Sequence, residues 1–305
     1  MQNERREAVK IGMCTGESRI DDSSFLFSAW NGLRKVRELL QVKTSIIESQ
    51  KDEDGLEHLL YLAQEGYGLI LAVGFYMNEQ LVDAACRYPG NIFCGIDTTV
   101  EYQPSNLVTV HFREQEGSFL AGYAAAKTSR TGKIGFLGGQ NVPLIRKFLD
   151  GYTAGADYSD PGVVVETRYA DSFLSYSTGQ MVGKEMYDAG CDVIYHAAGT
   201  VGKGLIRTAK EVGQLVIGVD IDQSFLAPEN VLTSMIKNVQ EAVVRIAKDF
   251  LDGTIEHTKT IEYGLKDGLI DLAPITLTRA PDGLAEEIAD IKSKIIAGEI
   301  IVPSR

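Results

Sequence analysis

Apolar runs of strand length alternate with helical stripes along the whole chain, and near residue 107 the alternation starts again. In the first set the runs Val9–Cys14, Thr44–Ile47, Gly68–Val73 and Ile92–Ile96 read as strands. The stretches Ser24–Leu40, Asp54–Gln64 and Glu79–Arg87 read as helices between them. On the first of these, Phe25, Ala29, Leu33, Val36 and Leu40 fall on one stripe at helical spacing. The second set predicts strands over Leu107–His111, Lys133–Leu137, Val163–Tyr169, Val193–Tyr195 and Leu215–Val219. Its helices are expected over Gly117–Lys127, Pro143–Ala156, Gln180–Asp188 and Lys203–Glu211. Such βαβα alternation implies parallel sheets with helices on both faces. Two sets in 305 residues imply two similar α/β lobes, since a chain this long exceeds what one compact core usually takes. The long helix expected over Val239–Leu251 reads as a return to the first lobe, and the amphipathic tail Leu284–Ile296 as a cover for a lobe. The expected division is 1–111 with about 238–260, and 112–237 with about 261–305.

Charge and composition exclude several classes of function. A net charge of −12 argues against a nucleic-acid backbone as partner. No apolar run reaches the length of a membrane span. The start, MQNERREAVKIG, has basic residues but no apolar stretch behind them, so it is not a signal peptide. The four cysteines, Cys14, Cys86, Cys94 and Cys191, form no C-x-x-C pair and have no metal-ligand spacing.

No catalytic motif stands out. There is no G-x-S-x-G elbow and no phosphate-binding G-x-x-x-x-G-K-[ST] loop. Neither a catalytic residue nor a metal or cofactor site is expected. The stretch Ala197–Gly204 has the spacing G-x-x-G-x-G, a weak match to a dinucleotide loop. Strand ends supply the better candidates, because ligands of open α/β sheets bind outside the carboxyl ends of the strands. Asp220 closes the run LVIGVD, and an ionised carboxylate there can accept from two sugar hydroxyls at once. Equally, it could cap the next turn. Asp97 follows the Ile92–Ile96 run, Lys237 ends VLTSMIK, and Tyr195 ends its own run. Asp22 lies in an Asp-Asp-Ser-Ser cluster that could cap the first helix, and Phe25 beside it could stack on a flat ring or join the helix's core stripe. Acidic groups, aromatics and one lysine at strand ends suit a flat ring bearing hydroxyls.

The phrases DDSSFLFSAWNGL, LILAVGF, YPGNIFCGID, VHFREQEGSFLAGYAAA, TGKIGFLGGQNVPLIRKFLDGYTAGA, CDVIYHAAGTVGKG, IGVDIDQ and VLTSMIKNVQEAV cover nearly the whole chain. In this order they resemble the basic membrane protein family of substrate-binding lipoproteins, the group that includes purine nucleoside receptor A. The resemblance implies a two-lobed fold like that of type I periplasmic binding proteins, closing on its ligand at a hinge. It implies a solute receptor, not an enzyme, that delivers purine nucleosides or purine bases to the permease of an ATP-binding-cassette (ABC) importer. A ligand-sensing regulator of the same fold is the alternative. Asp22 would then lie at the nucleoside's edge, Phe25 would stack on the base and Asp97 would accept from it. Tyr195 would give the opposite aromatic face, with His196 as its competitor. Asp220 would hold ribose hydroxyls, with Lys237 beside it. Leu26 departs from the pattern, where the family commonly has Asn. The receptor is expected as a monomer without cofactor. It would sit on the extracellular face of the membrane as a lipoprotein if a signal segment was removed, and in the cytoplasm otherwise.

Overall fold

Along the chain, the first unit opens with strand β1 (Lys10–Thr15), helix α1 (Phe25–Leu40), β2 (Lys43–Glu48), α2 (Gly55–Gln64), β3 (Leu69–Val73), α3 (Asn78–Arg87), β4 (Ile92–Ile96) and β5 (Leu107–Phe112). The second unit follows with α4 (Glu114–Thr128), β6 (Lys133–Gly138), α5 (Pro143–Ser159), β7 (Val164–Tyr169), α6 (Tyr176–Asp188), β8 (Val193–Ala197), α7 (Thr200–Val212), β9 (Leu215–Asp220) and β10 (Val231–Lys237). Then α8 (Val239–Asp252) and β11 (Thr260–Tyr263) return to the first unit, and β12 (Ile270–Leu272) and α9 (Leu284–Ala297) complete the second. This computed structural model describes residues 9–16, 25–49, 54–256 and 259–304.

Each unit carries one six-stranded sheet. The first has the order β11-β5-β4-β3-β1-β2, all parallel. In the second, β12-β10-β9-β8-β6-β7, only β12 runs antiparallel. Both repeat one doubly wound order, in which the first strand lies between the second and the third. A switch point therefore lies between β1 and β3 in one unit and between β6 and β8 in the other. Helices cover both faces, which is why β3, LILAV, is apolar and buried at every position.

The two faces of each sheet pack separately. In the first unit Cys14, Ile70 and Ala72 meet Leu59 and Leu62 of α2 and Leu81 of α3. The other face is covered by α1 and α8, which touch where Gly32 lies against Gln240 and Val243. In the second unit Ile194 and Val216 pack on Met186 of α6 and on Val201 and Leu205 of α7. Phe136 and Tyr195 point the opposite way, onto Tyr152 of α5.

Helix pairs in the second unit approach to backbone contact. A methyl at Gly155 would overlap the Phe119 carbonyl, and one at Gly179 would overlap the Val201 carbonyl. Backbone cannot move aside as a flexible side chain can, so Gly155→Ala should destabilise by about 1–3 kcal/mol. Gly90→Ala, where a methyl meets nothing within 4 Å, should be neutral or mildly stabilising through the unfolded chain. Thermal denaturation of the two variants checks this; equal midpoints would contradict the packing argument.

Several boundaries differ from the sequence expectation. β8 runs on to Ala197, so Tyr195 stands mid-strand and does not end it. α4 starts at Glu114 and α7 at Thr200, so part of the glycine-rich stretch is helix and not loop. β11 and β12 were not anticipated; at four and three residues they carry too little pattern to read.

Candidate functional site

In the first unit the carboxyl edge of the sheet gathers polar groups from successive strands. Thr15 ends β1, Asp97 follows β4, and the Phe75–Tyr76 ring pair, centroids 4.2 Å apart, follows β3. Phe25 is the first residue of α1, half-buried, in the helix that follows β1 at the switch point. Leu26 is turned into the core, 6% exposed. Asp22 lies outside the described residues. Asp97 has φ 59°, a left-handed backbone that few residues other than glycine adopt, and its N–H donates to the Val110 carbonyl at 2.9 Å. Thr15 Oγ1, Asn78 Oδ1 and Thr98 Oγ1 are buried along this edge without a hydrogen-bond partner among the described residues.

The second unit repeats the device. Asp220 is the last residue of β9, as Asp97 follows β4 in the same place of the other sheet, and it too is left-handed, φ 68°. The Ile221 N–H donates to the Val219 carbonyl at 2.8 Å and closes a three-residue turn around it. This γ-turn of positive φ is the rarer, strained form. Strain of this kind persists where surrounding structure fixes it, and it clusters at functional positions.

Two expected site residues are interior. Tyr195 is fully buried; its ring lies 5.2 Å from Tyr152 and 5.7 Å from Phe136, and its hydroxyl pairs with Ser118 Oγ at 3.1 Å. Burial raises its pKa well above the usual phenol value, against the lowering effect of Ser118. Within this unit the ring is a core element, which corrects its reading as an open stacking face. Lys237 does end β10, but it is 1% exposed. Its Nζ donates to Glu114 Oε1 at 2.7 Å and lies 5.7 Å from the Phe148 ring centre. Lys147 approaches Glu114 Oε2 at 3.8 Å. Glu114 was missed from sequence because it precedes the small-residue run of its helix. A buried lysine at a strand end, which requires a counter-charge, was the available clue.

Phe173 was missed as well. It follows β7, and its ring occupies the space beside Gly139, just past the end of β6. Its carbonyl accepts from the Thr200 N–H at 2.9 Å, and Ser172 N–H donates to Gly139 at 3.0 Å. The loop is thus fastened at the switch point of this sheet, with the Phe173 ring half-buried.

His196 faces the α6–α7 side. Its Nε2 meets Gln223 Oε1 at 3.0 Å, its Nδ1 has no partner among the described residues, and it is fully buried. Burial lowers its pKa to about 4, although the Gln223 contact raises it. The unfolded ring, near 6.5, binds a proton that the folded ring refuses between pH 6.5 and 4. Stability therefore falls as pH drops through that window, by about 3 kcal/mol for this residue. His196→Gln should flatten that part of the pH–stability curve, measured by urea unfolding from pH 7 to pH 4.

Among the described residues no group of three or more His, Cys, Asp or Glu side chains could hold a metal ion. No helix among them is long and apolar enough to cross a membrane.

The sequence profile of the basic membrane protein family, described as ABC transporter substrate-binding protein PnrA-like, matches residues 8–305. Basic membrane protein A of Borreliella burgdorferi is 40% identical over 297 residues, covering 94% of this chain and 86% of that protein. The ABC transporter nucleoside-binding protein BmpA of Lactococcus lactis subsp. cremoris is 33% identical, covering 97% of this chain and 90% of that one. Among solved structures, a solute-binding protein of an ABC transporter system from Aeropyrum pernix K1 superposes with a TM-score of 0.87 at 25% identity. That match covers 97% of this chain and 94% of the other.

Proposed function

The chain belongs to the PnrA-like family of ABC transporter substrate-binding proteins, and we propose that its ligand is a purine nucleoside or a related purine. The observation that carries this reading is the pair of left-handed aspartates, Asp97 and Asp220, each held at the end of the corresponding strand of its sheet. Carboxylates fixed in strained backbone suit a ligand that presents several donors, such as base N–H groups and sugar hydroxyls. Half-buried aromatic rings, Phe25 in one unit and Phe173 in the other, suit a flat ring. Asp22 keeps its proposed place at the nucleoside's edge. Tyr195 and Lys237 would then act from behind, supporting the unit's site through Ser118 and Glu114. Support also comes from the Lactococcus relative, whose name states nucleoside binding.

The protein would hand this ligand unchanged to an importer permease, working as a monomer on the extracellular face of the membrane. A thermal-shift panel tests the ligand class. Inosine, adenosine, guanosine or a purine base should raise the melting temperature, because a ligand bound only by the folded state stabilises it by mass action. Hexoses should do less. Activity of ribose or glucose with every purine silent would remove the nucleoside reading. Incubation with inosine, with and without phosphate, should return intact nucleoside by chromatography, since a receptor releases its ligand unchanged. Release of free base would make the protein an enzyme.

A further inference from the structure

We propose that His196 and Gln223 are positioning residues that hold the strained turn at Asp220 and thereby aim its carboxylate. The inference rests on the reading that Asp220 binds ligand hydroxyls. Gln223 is 1% exposed, and its Oε1 accepts twice: from the Val219 N–H at 3.0 Å and from His196 Nε2 at 3.0 Å. A carbonyl oxygen has two lone pairs, so both places are used, and His196 must carry its proton on Nε2. Gln223's own N–H donates to Ser234 Oγ at 3.0 Å, and Ser234 is fully buried in β10. The turn that contains Asp220 is therefore tied to β8 through His196, to β10 through Ser234 and to its own strand through Val219.

Two glycines make room for this arrangement. A methyl at Gly218 would come within 2.5 Å of Ser234 Oγ and 2.6 Å of Gln223 Oε1. One at Gly202, in the first turn of α7, would overlap the His196 ring. The segment these contacts enclose runs from Val219 to Gln223, and its most strained residue is Asp220. Without the Gln223 acceptor, the Val219 N–H and the His196 N–H lose their partner in a buried site. The turn could then relax toward ordinary negative φ and swing the carboxylate away.

The test is a double-mutant cycle read with two ligands. Inosine and its free base hypoxanthine are titrated by calorimetry into the parent protein, Gln223→Leu, His196→Leu and His196→Gln, each with and without Asp220→Asn. In the parent background, Gln223→Leu and His196→Leu should each weaken inosine by at least about tenfold. Hypoxanthine, which has no sugar hydroxyls, should change by less than about twofold. His196→Gln, which keeps an N–H donor, should recover most of the inosine affinity. On top of Asp220→Asn, which keeps only one acceptor oxygen, the Leu changes should cost clearly less for inosine than they do in the parent background. Equal losses for both ligands, or an undiminished loss in the Asp220→Asn background, would overturn the proposal.

If the parent binds neither compound, nor adenosine or guanosine, the nucleoside reading fails by itself. Hydrogen exchange at the Ile221 amide then decides the positioning role. Faster exchange in Gln223→Leu, with the amides of α7 unchanged, supports it, and unchanged exchange at Ile221 overturns it. Should Gln223→Leu not fold, His196→Leu carries the same comparison, because it leaves the Val219–Gln223 bond in place.

Discussion

Glu114→Gln is expected to lower the stability of the folded chain by about 3–5 kcal/mol, among the largest effects of any single change considered. The carboxylate is fully buried and lies 2.7 Å from the Lys237 ammonium, itself 1% exposed. An ion pair enclosed in this way gains little net energy over a well-packed apolar pair, because desolvation offsets the attraction. Removing one member is different: the remaining charge stays buried and loses the counter-charge 2.7 Å away. Lys237→Met should cost less, since Glu114 keeps Lys147 at 3.8 Å and that lysine still reaches solvent. The double change Glu114→Leu with Lys237→Met should come closer to the parent than Glu114→Gln does. Urea and thermal unfolding of the three variants check this order. A parent-like midpoint for Glu114→Gln would show that water reaches the pair.

That pair also shows where sequence reasoning stops. Lys237 was legible as the end of a strand, because VLTSMIK is a strong apolar run closed by a charge. Its direction was not legible. Whether a strand-end lysine points to ligand or into the interior depends on which helix supplies a carboxylate, and Glu114 is 123 residues away. Tyr195 failed for a related reason. Its strand is two residues longer than the apolar run suggested, since His196 reads as polar yet is fully buried against Gln223. A buried polar residue hides a strand end whenever its partner is distant in sequence.

The strand-end positions of Asp97 and Asp220 were legible for the opposite reason. An apolar strand that stops on Asp gives both the end of the element and the chemistry presented there, and both are local properties. The left-handed backbone at Asp97 and Asp220 was not visible, because Asp tolerates positive φ without any composition change to announce it. Phe173 went unnoticed since its loop carries no strand or helix period; only the close approach to Gly139 gives it a place. The two largely parallel sheets, in contrast, followed directly from the restart of the βαβα alternation.

Asp220→Ala should weaken binding of a purine nucleoside by about 2–5 kcal/mol, roughly 30-fold to several thousand-fold in Kd. The size follows from what the ligand loses. Hydroxyls taken out of water onto a carboxylate keep their donors satisfied; with alanine they are left unpaired, and the full desolvation penalty returns. Alanine also carries a smaller penalty of its own. At φ 68° a β-carbon without a polar side chain is strained by about 1–2 kcal/mol, so the melting temperature should fall slightly. Asp220→Asn separates the two effects, because asparagine tolerates left-handed backbone and keeps one acceptor oxygen. It should melt like the parent and bind with an intermediate loss. Calorimetric titration of inosine into the three proteins, beside their melting curves, reads both quantities. If both variants bound inosine as the parent does, Asp220 would be only the turn residue that its backbone makes it, and the sugar contact would have to be sought on another residue.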